Sequence, residues 1–232
     1  IFNSVISSFG NLIATESREK QYNMFCIYRF FASWIYGFSA VGFYILLTPL
    51  ISLWIGDKWI LPGAVIAAIL IDYYFKGERV VLSNYKTAAG VFEQEKYLPL
   101  IQGAVNLIIS VALVIKIGLL GVYIGTIISG LLANIIRPVI IYKVCFERKA
   151  AVYFYDAVRY ISVIILAAVC CVMCSNVFMK EITIASFAIM AVIITLIFNG
   201  IFLLFFGRTS EFRYLYAIFR DKVYSVINRR HR

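Results

Sequence analysis

An asparagine and an arginine stand inside one of the oiliest stretches of the chain. In "NIIRPVIIYKVCFERK", residues 134 to 149, Asn134 and Arg137 continue the run that opens "GLLGVYIGTIISGLLA". At 100° per residue, Tyr123, Thr126, Gly130, Asn134 and Arg137 fall within about 80° of one another on a helix, so the polar groups share one face. Lipid against that face would leave donors unpaired, so the face points into a helical bundle or toward a water-filled cavity. For Arg137 two chemistries are open: it snorkels to headgroups or pairs with a neighbouring carboxylate, or it faces a cavity and holds an anionic substrate. Pro138 adds a local weakness, because it cannot donate its backbone hydrogen bond and frees a carbonyl one turn earlier.

Other polar residues repeat at helical spacing. Gln102, Asn106 and Ser110 step by four, and Lys116 lies within about 40° of Gln102 on the same face. These can pair with the Tyr123 to Arg137 stripe across a helical hairpin, either as interhelical hydrogen bonds or as a wall that contacts sugar. Beside the stripe, Gly121, Gly125, Ser129 and Ala133 recur every four residues, the pattern that lets membrane helices approach closely. Asp72, Lys76, Arg79 and Ser83 share one face of a third segment, "LIDYYFKGERVVLSNYK". There Asp72 and Lys76 are expected to form an i, i+4 ion pair that lowers the cost of burial, with a proton-coupling role for Asp72 as the alternative.

No catalytic constellation accompanies these stripes: there is no metal-ligand spacing, no GxSxG and no GxxxxGK[ST]. No cofactor is expected. Glu93 and Glu95 in "GVFEQEKY" face different sides of any helix and read as loop solvation. The five cysteines are Cys26, Cys145, Cys170, Cys171 and Cys174, and the only histidine is His231. Three of the thiols sit in "AAVCCVMCSNV" without a His or acidic companion, so they read as small packing residues.

The elements that carry these residues are membrane helices. Of 232 residues, 62% are hydrophobic and 15% are charged, with a mean hydropathy of +0.89, whereas soluble domains are about 45–50% apolar. The expected architecture is an all-α polytopic bundle of six full transmembrane helices, near Phe30 to Ile55, Ile60 to Phe75, Leu98 to Ile117, Leu119 to Tyr142, Ile161 to Met179 and Ile182 to Phe206. A partial helix precedes them, ending near Ala14. Because "IFNSVISSFGNLIA" reads as the last half of a membrane helix, a preceding lobe is expected to be missing from the chain.

Charge sets the orientation. Eighteen of the 22 Lys and Arg fall in segments that the helix count puts on one side, and the positive-inside rule makes that side cytoplasmic, C-terminus included. The net charge of +10 then calls for no nucleic-acid partner. Outer connections come out at a few residues and inner ones at roughly twenty, which leaves no outer loop large enough for a polysaccharide polymerase site. The segment 207 to 232 forms a separate basic tail, in which Phe212, Leu215, Phe219, Val223 and Val226 are spaced at three and four. That spacing predicts an amphipathic helix on the anionic inner leaflet.

Three stretches carry a family resemblance. "YILLTPLISLWIGDKWILP" at 44 to 62, "YLPLIQGAVNLIISVALVIKIGLLGVYIGTIIS" at 97 to 129 and "GNLIATESREK" at 10 to 20 resemble the C-terminal half of Wzx-type polysaccharide flippases, members of the multidrug/oligosaccharidyl-lipid/polysaccharide exporter superfamily. The shared features are the "TP-LI-LWIGD" helix end, Asn106-Leu107 in a helix opened by Pro99, and "GLLGVYIGT" entering the next helix. The resemblance implies a two-lobed transporter, residues 1 to 206 supplying the second lobe, around a cavity that opens alternately to each side of the inner membrane. It implies a substrate of undecaprenyl-pyrophosphate-linked oligosaccharide, whose pyrophosphate basic cavity residues neutralise, and work alongside polysaccharide polymerase and chain-length proteins. It brings no strict motif to carry over, so Arg137 and Lys116 are candidates by position and chemistry, with Asn134, Tyr123, Asn106 and Gln102 as further cavity residues and Asp72 and Lys76 for coupling. The rivals are a drug or cation exporter of the same superfamily, expected to show carboxylates near its cavity, and a membrane scaffold that assembles polysaccharide enzymes without transporting.

Overall fold

A computed structural model describes residues 5–179 and 181–229, with side chains over 6–179 and 181–221. Among them the chain is all helical, without a strand. The helices are α1 (Val5–Thr15), α2 (Arg18–Trp54), α3 (Gly63–Ala89), α4 (Leu98–Ile117), α5 (Leu119–Val144), α6 (Ala151–Phe178), α7 (Ile184–Phe206) and α8 (Ser210–Arg229). Five of them, α2, α4, α5, α6 and α7, are long and apolar enough to cross a membrane, the pattern of a multi-pass membrane protein. The sixth expected span, α3, is long enough at 27 residues, but it carries Asp72, Lys76, Glu78, Arg79 and Lys86 along its length.

The expected boundaries hold where the sequence is punctuated. Pro99 lies in the first turn of α4, and Gly118, in the left-handed region at φ 62°, separates α4 from α5. They fail on the basic side. There α2 begins twelve residues before Phe30, α3 runs fourteen beyond Phe75 and α6 begins ten before Ile161, so the supposed inner loops are largely helix.

The cause is pairing that local pattern does not reveal. Ser17 caps α2 by accepting from the Lys20 amide at 3.4 Å, Arg148 holds Glu19 at 2.5 Å and Arg18 pairs with Glu147. Beneath these ion pairs Phe9, Phe25, Tyr85, Tyr142, Phe146 and Tyr153 form a buried aromatic cluster joining α1, α2, α3, α5 and α6. Edge-to-face contacts such as Phe25 on Tyr85, with ring centroids 5.3 Å apart, give it a fixed geometry.

A second core fills the body of the bundle. Phe30 on α2, Tyr160 and Cys171 on α6, and Phe198, Phe202 and Phe206 on α7 are its centre. Cys171 is thus a packing residue, and Cys174 lies against the same cluster. The tail helix folds back on this core through Phe212, whose ring lies 5.8 Å from Trp34, and through Leu215, while Phe219 stays exposed. Lys180, His231 and the side chains of Val223 and Val226 lie outside the described residues.

Candidate functional site: a polar seam along α5

The helix α5 presents polar groups to two neighbours. Toward α4, Gln102 Nε2 donates to the Ser129 carbonyl at 3.0 Å. Asn106 Nδ2 donates to Thr126 Oγ1 at 3.2 Å and to Ser129 Oγ at 3.3 Å. Ser110 Oγ completes the ladder by donating to the Val122 carbonyl at 3.3 Å. The hairpin pairing read from the sequence is therefore present in part, as interhelical hydrogen bonds in which Thr126 is the one stripe residue engaged and Ser129 and the Val122 carbonyl are the other acceptors.

Close approach makes the ladder possible, because a Cβ on Gly121 would meet the Leu113 backbone and one on Gly125 would meet Ser110. Gly125→Val is expected to push the hairpin apart and cost about 1–3 kcal/mol, measured as a lower melting temperature in detergent. Gly42→Ala, where an added Cβ meets nothing within 4 Å, should not lower the melting temperature. Lys116 is exposed near the hairpin turn and Tyr123 is half-buried. Among the described residues neither takes part in the ladder.

Toward α3, Asn134 Nδ2 donates to the Phe75 carbonyl at 3.3 Å, while its Oδ1 is buried without a partner. Arg79 lies across Gly130, the glycine of the stripe, where a Cβ would collide with its guanidinium. Asp72 pairs with Arg79 at 2.8 Å and not with Lys76, which is exposed. The i, i+4 expectation fails because Gly130 opens room for a longer reach of seven residues. Arg79 Nη1 is left buried and unpartnered.

Two turns further along the same faces, Lys86 and Arg137 converge on Glu95. Arg137 Nε donates to one carboxylate oxygen at 2.9 Å, and Lys86 Nζ takes the other. Glu93 is solvated as expected, with 83% of its side chain exposed, but the Glu95 side chain is 3% exposed. The reading of Glu95 as a solvated loop residue is corrected by its two partners. Burying a carboxylate needs such compensation, and here two cations supply it.

A third charged site was not anticipated. Arg29, assigned from the sequence to an inner loop, is 2% exposed within α2. Its Nε donates to Glu78 Oε2 at 3.0 Å, its Nη2 donates to the Tyr153 carbonyl at 2.9 Å, and its guanidinium stacks 3.5 Å from the Tyr153 ring. Tyr153 Oη donates to the same Glu78 oxygen at 3.1 Å, and Asp156 stands 4.0 Å from Arg29 Nη1. Glu78 Oε1 is buried without a partner. Glu78 is thus a buried carboxylate on α3 beside the half-buried Asp72. The available signal was Tyr74 and Glu78 one turn apart in α3, opposite Arg29 and Ser33 one turn apart in α2; Ser33 and Tyr74 share a hydrogen bond of 2.9 Å.

Two cavities lie elsewhere. Among the described residues, these are a cavity of about 440 Å³ that opens among Tyr44, Thr48, Ser175 and Asn176, and an apolar one of about 580 Å³ among Trp34, Phe38, Phe212 and Leu215, the latter the larger. Neither is lined by the stripe. Among the described residues no group of three or more His, Cys, Asp or Glu is placed to hold a metal ion.

Taken together, α5 carries a seam of fixed polar contacts on α4 and α3 that ends in an ionic triad of one buried carboxylate and two partly buried cations. Such a triad can neutralise an anion. Compared with protein-family models, with curated proteins and with solved structures, the chain matches none.

Proposed function

We propose that this chain belongs to a transporter that carries undecaprenyl-pyrophosphate-linked oligosaccharide outward across the cytoplasmic membrane by alternating access, for surface polysaccharide synthesis. The sequence resemblance at 44 to 62 and 97 to 129 points to that substrate class. The observation that carries the reading is the triad at the basic end of the polar seam, where Lys86 and Arg137 share a single carboxylate, Glu95. A partly buried surplus of positive charge suits a phosphate-bearing substrate and disfavours a cationic drug.

One observation favours the cation-exporter reading instead. Around Arg29 the balance is reversed, with Glu78 and Asp156 facing a single guanidinium and Glu78 Oε1 unpartnered. That site is walled by Tyr153 and Tyr160 on one side and Tyr74 on another, and the Arg29 side chain is 3% exposed where those of Lys86 and Arg137 are 13% and 14% exposed. The anionic substrate is therefore preferred.

The test is a strain deleted for the gene that encodes the chain. Lipid-linked oligosaccharide should accumulate and surface polymer disappear, both restored by the intact gene. Normal polymer with altered drug susceptibility would overturn the reading in favour of an exporter.

A further inference from the structure

We infer that Lys86 and Arg137 form a phosphoryl-anion site in which the Glu95 carboxylate stands in for the ligand, so that substrate enters by displacing Glu95. This deepens the transport reading and rests on it for the identity of the anion. The geometry is that of an occupied anion site. Two cations from different helices, Lys86 in the last turn of α3 and Arg137 in α5, each take one oxygen of one carboxylate. A phosphoryl group presents the same paired oxygens with more charge, and a guanidinium beside an ammonium is a donor set suited to it.

The stand-in rides on a separate element. Glu95 belongs to the eight-residue connection 90–97, a short turn at Glu93–Glu95 that follows Gly90, whose φ of 69° ends α3. Val91 and Leu98 are buried at either end of it, whereas Phe92 and Tyr97 are 53% and 65% exposed. The turn is therefore anchored at Val91, Glu95 and Leu98 and exposed at the residues between them, so release of the one anchor that rests on charge, Glu95, lets its side chain swing out without either helix moving. Removing Glu95 leaves two cations facing each other at partly buried positions, with side chains 13% and 14% exposed. An incoming anion relieves that repulsion.

The seam continues inward from the pair. Arg79 lies seven residues before Lys86 on α3, and Gly130 lies seven before Arg137 on α5, so both sets repeat after about 10 Å along parallel faces. Arg79 Nη1 is buried there without a partner. It is the next donor an anion would meet after leaving the Lys86 and Arg137 pair.

The test uses the purified chain in lipid nanodiscs, with inorganic pyrophosphate and a short-chain isoprenyl pyrophosphate as probes. Glu95→Gln should bind pyrophosphate at least about tenfold more tightly than the wild type, because the competing internal carboxylate occupies the site most of the time. Arg137→Gln placed in that background should abolish the gain. A still tighter isoprenyl pyrophosphate would assign the site to a lipid headgroup, and equal affinity for both probes to free phosphate.

A reporter keeps the test valid if Glu95→Gln does not fold. Phe92→Trp in the otherwise native chain should change its emission as the turn moves on adding pyrophosphate, and Arg137→Gln should remove the change. Unaltered affinity in folded Glu95→Gln, or an unmoved Trp signal at saturating pyrophosphate, would overturn the inference. Pyrophosphate binding governed by Glu95 in a protein whose deletion leaves surface polymer normal would keep the site and remove the transport reading. The reverse pattern would keep transport and remove the site.

Discussion

Arg29→Ala is expected to lower stability by about 3–5 kcal/mol, enough to deplete the folded protein from the membrane. The cause is the carboxylate left behind. Glu78 is 5% exposed, and without Arg29 its charge keeps only the Tyr153 hydroxyl as a donor. The guanidinium also ties the carbonyl of Tyr153 at the start of α6 to α2, so three helices lose their common tie at once. The double variant Arg29→Met with Glu78→Met should recover most of the loss, because an apolar pair removes the uncompensated charge. Thermal melts in detergent read both values, and a single variant as stable as the wild type would show that the pair is not what binds α2, α3 and α6.

Arg137→Ala is expected to behave differently, with transport falling by at least about tenfold while insertion and abundance stay normal. Its partner Glu95 is not orphaned by the change, since Lys86 holds the other oxygen. The side chain is also 14% exposed, so water reaches what remains. Loss of a cation that meets the substrate thus separates from loss of fold. Surface polymer in a complemented deletion strain, with immunoblots for the membrane-inserted protein, distinguishes the two. Full transport by an abundant Arg137→Ala protein would leave Arg137 as a purely structural partner of Glu95.

These two arginines show what a sequence reading reaches in this chain. Arg137 stood out because it interrupts an apolar run, and its company of Asn134, Thr126 and Gly130 followed from helical spacing. The α4 side of the ladder was legible for the same reason, since Gln102, Asn106 and Ser110 repeat at steps of four, whereas of its α5 acceptors, Val122, Thr126 and Ser129, only Thr126 belongs to the stripe. Arg29 was invisible because it lies in the polar stretch "REKQYNMFCIYR", whose partners Glu78 and Tyr153 are 49 and 124 residues away. Charges that read as solvated loop were in fact satisfied across the bundle, and the helices continued through them.

Asp72 and Glu95 failed in opposite ways. For Asp72 the local rule offered Lys76, but the space over Gly130 selected Arg79. For Glu95 the motif "EQE" offered only solvation, whereas Lys86 and Arg137 arrive from two helices to bury it. In both cases the deciding residue belongs to α5, which no local window around α3 contains.

Reconstitution of the purified gene product into proteoliposomes with fluorescent undecaprenyl-pyrophosphate-linked oligosaccharide tests the transport claim most directly. Movement of the oligosaccharide to the opposite leaflet is read by protection from an impermeant quencher. The account predicts protein-dependent movement that Arg137→Ala abolishes. An oligosaccharide that stays in its original leaflet in the presence of folded, correctly inserted wild-type protein would contradict it.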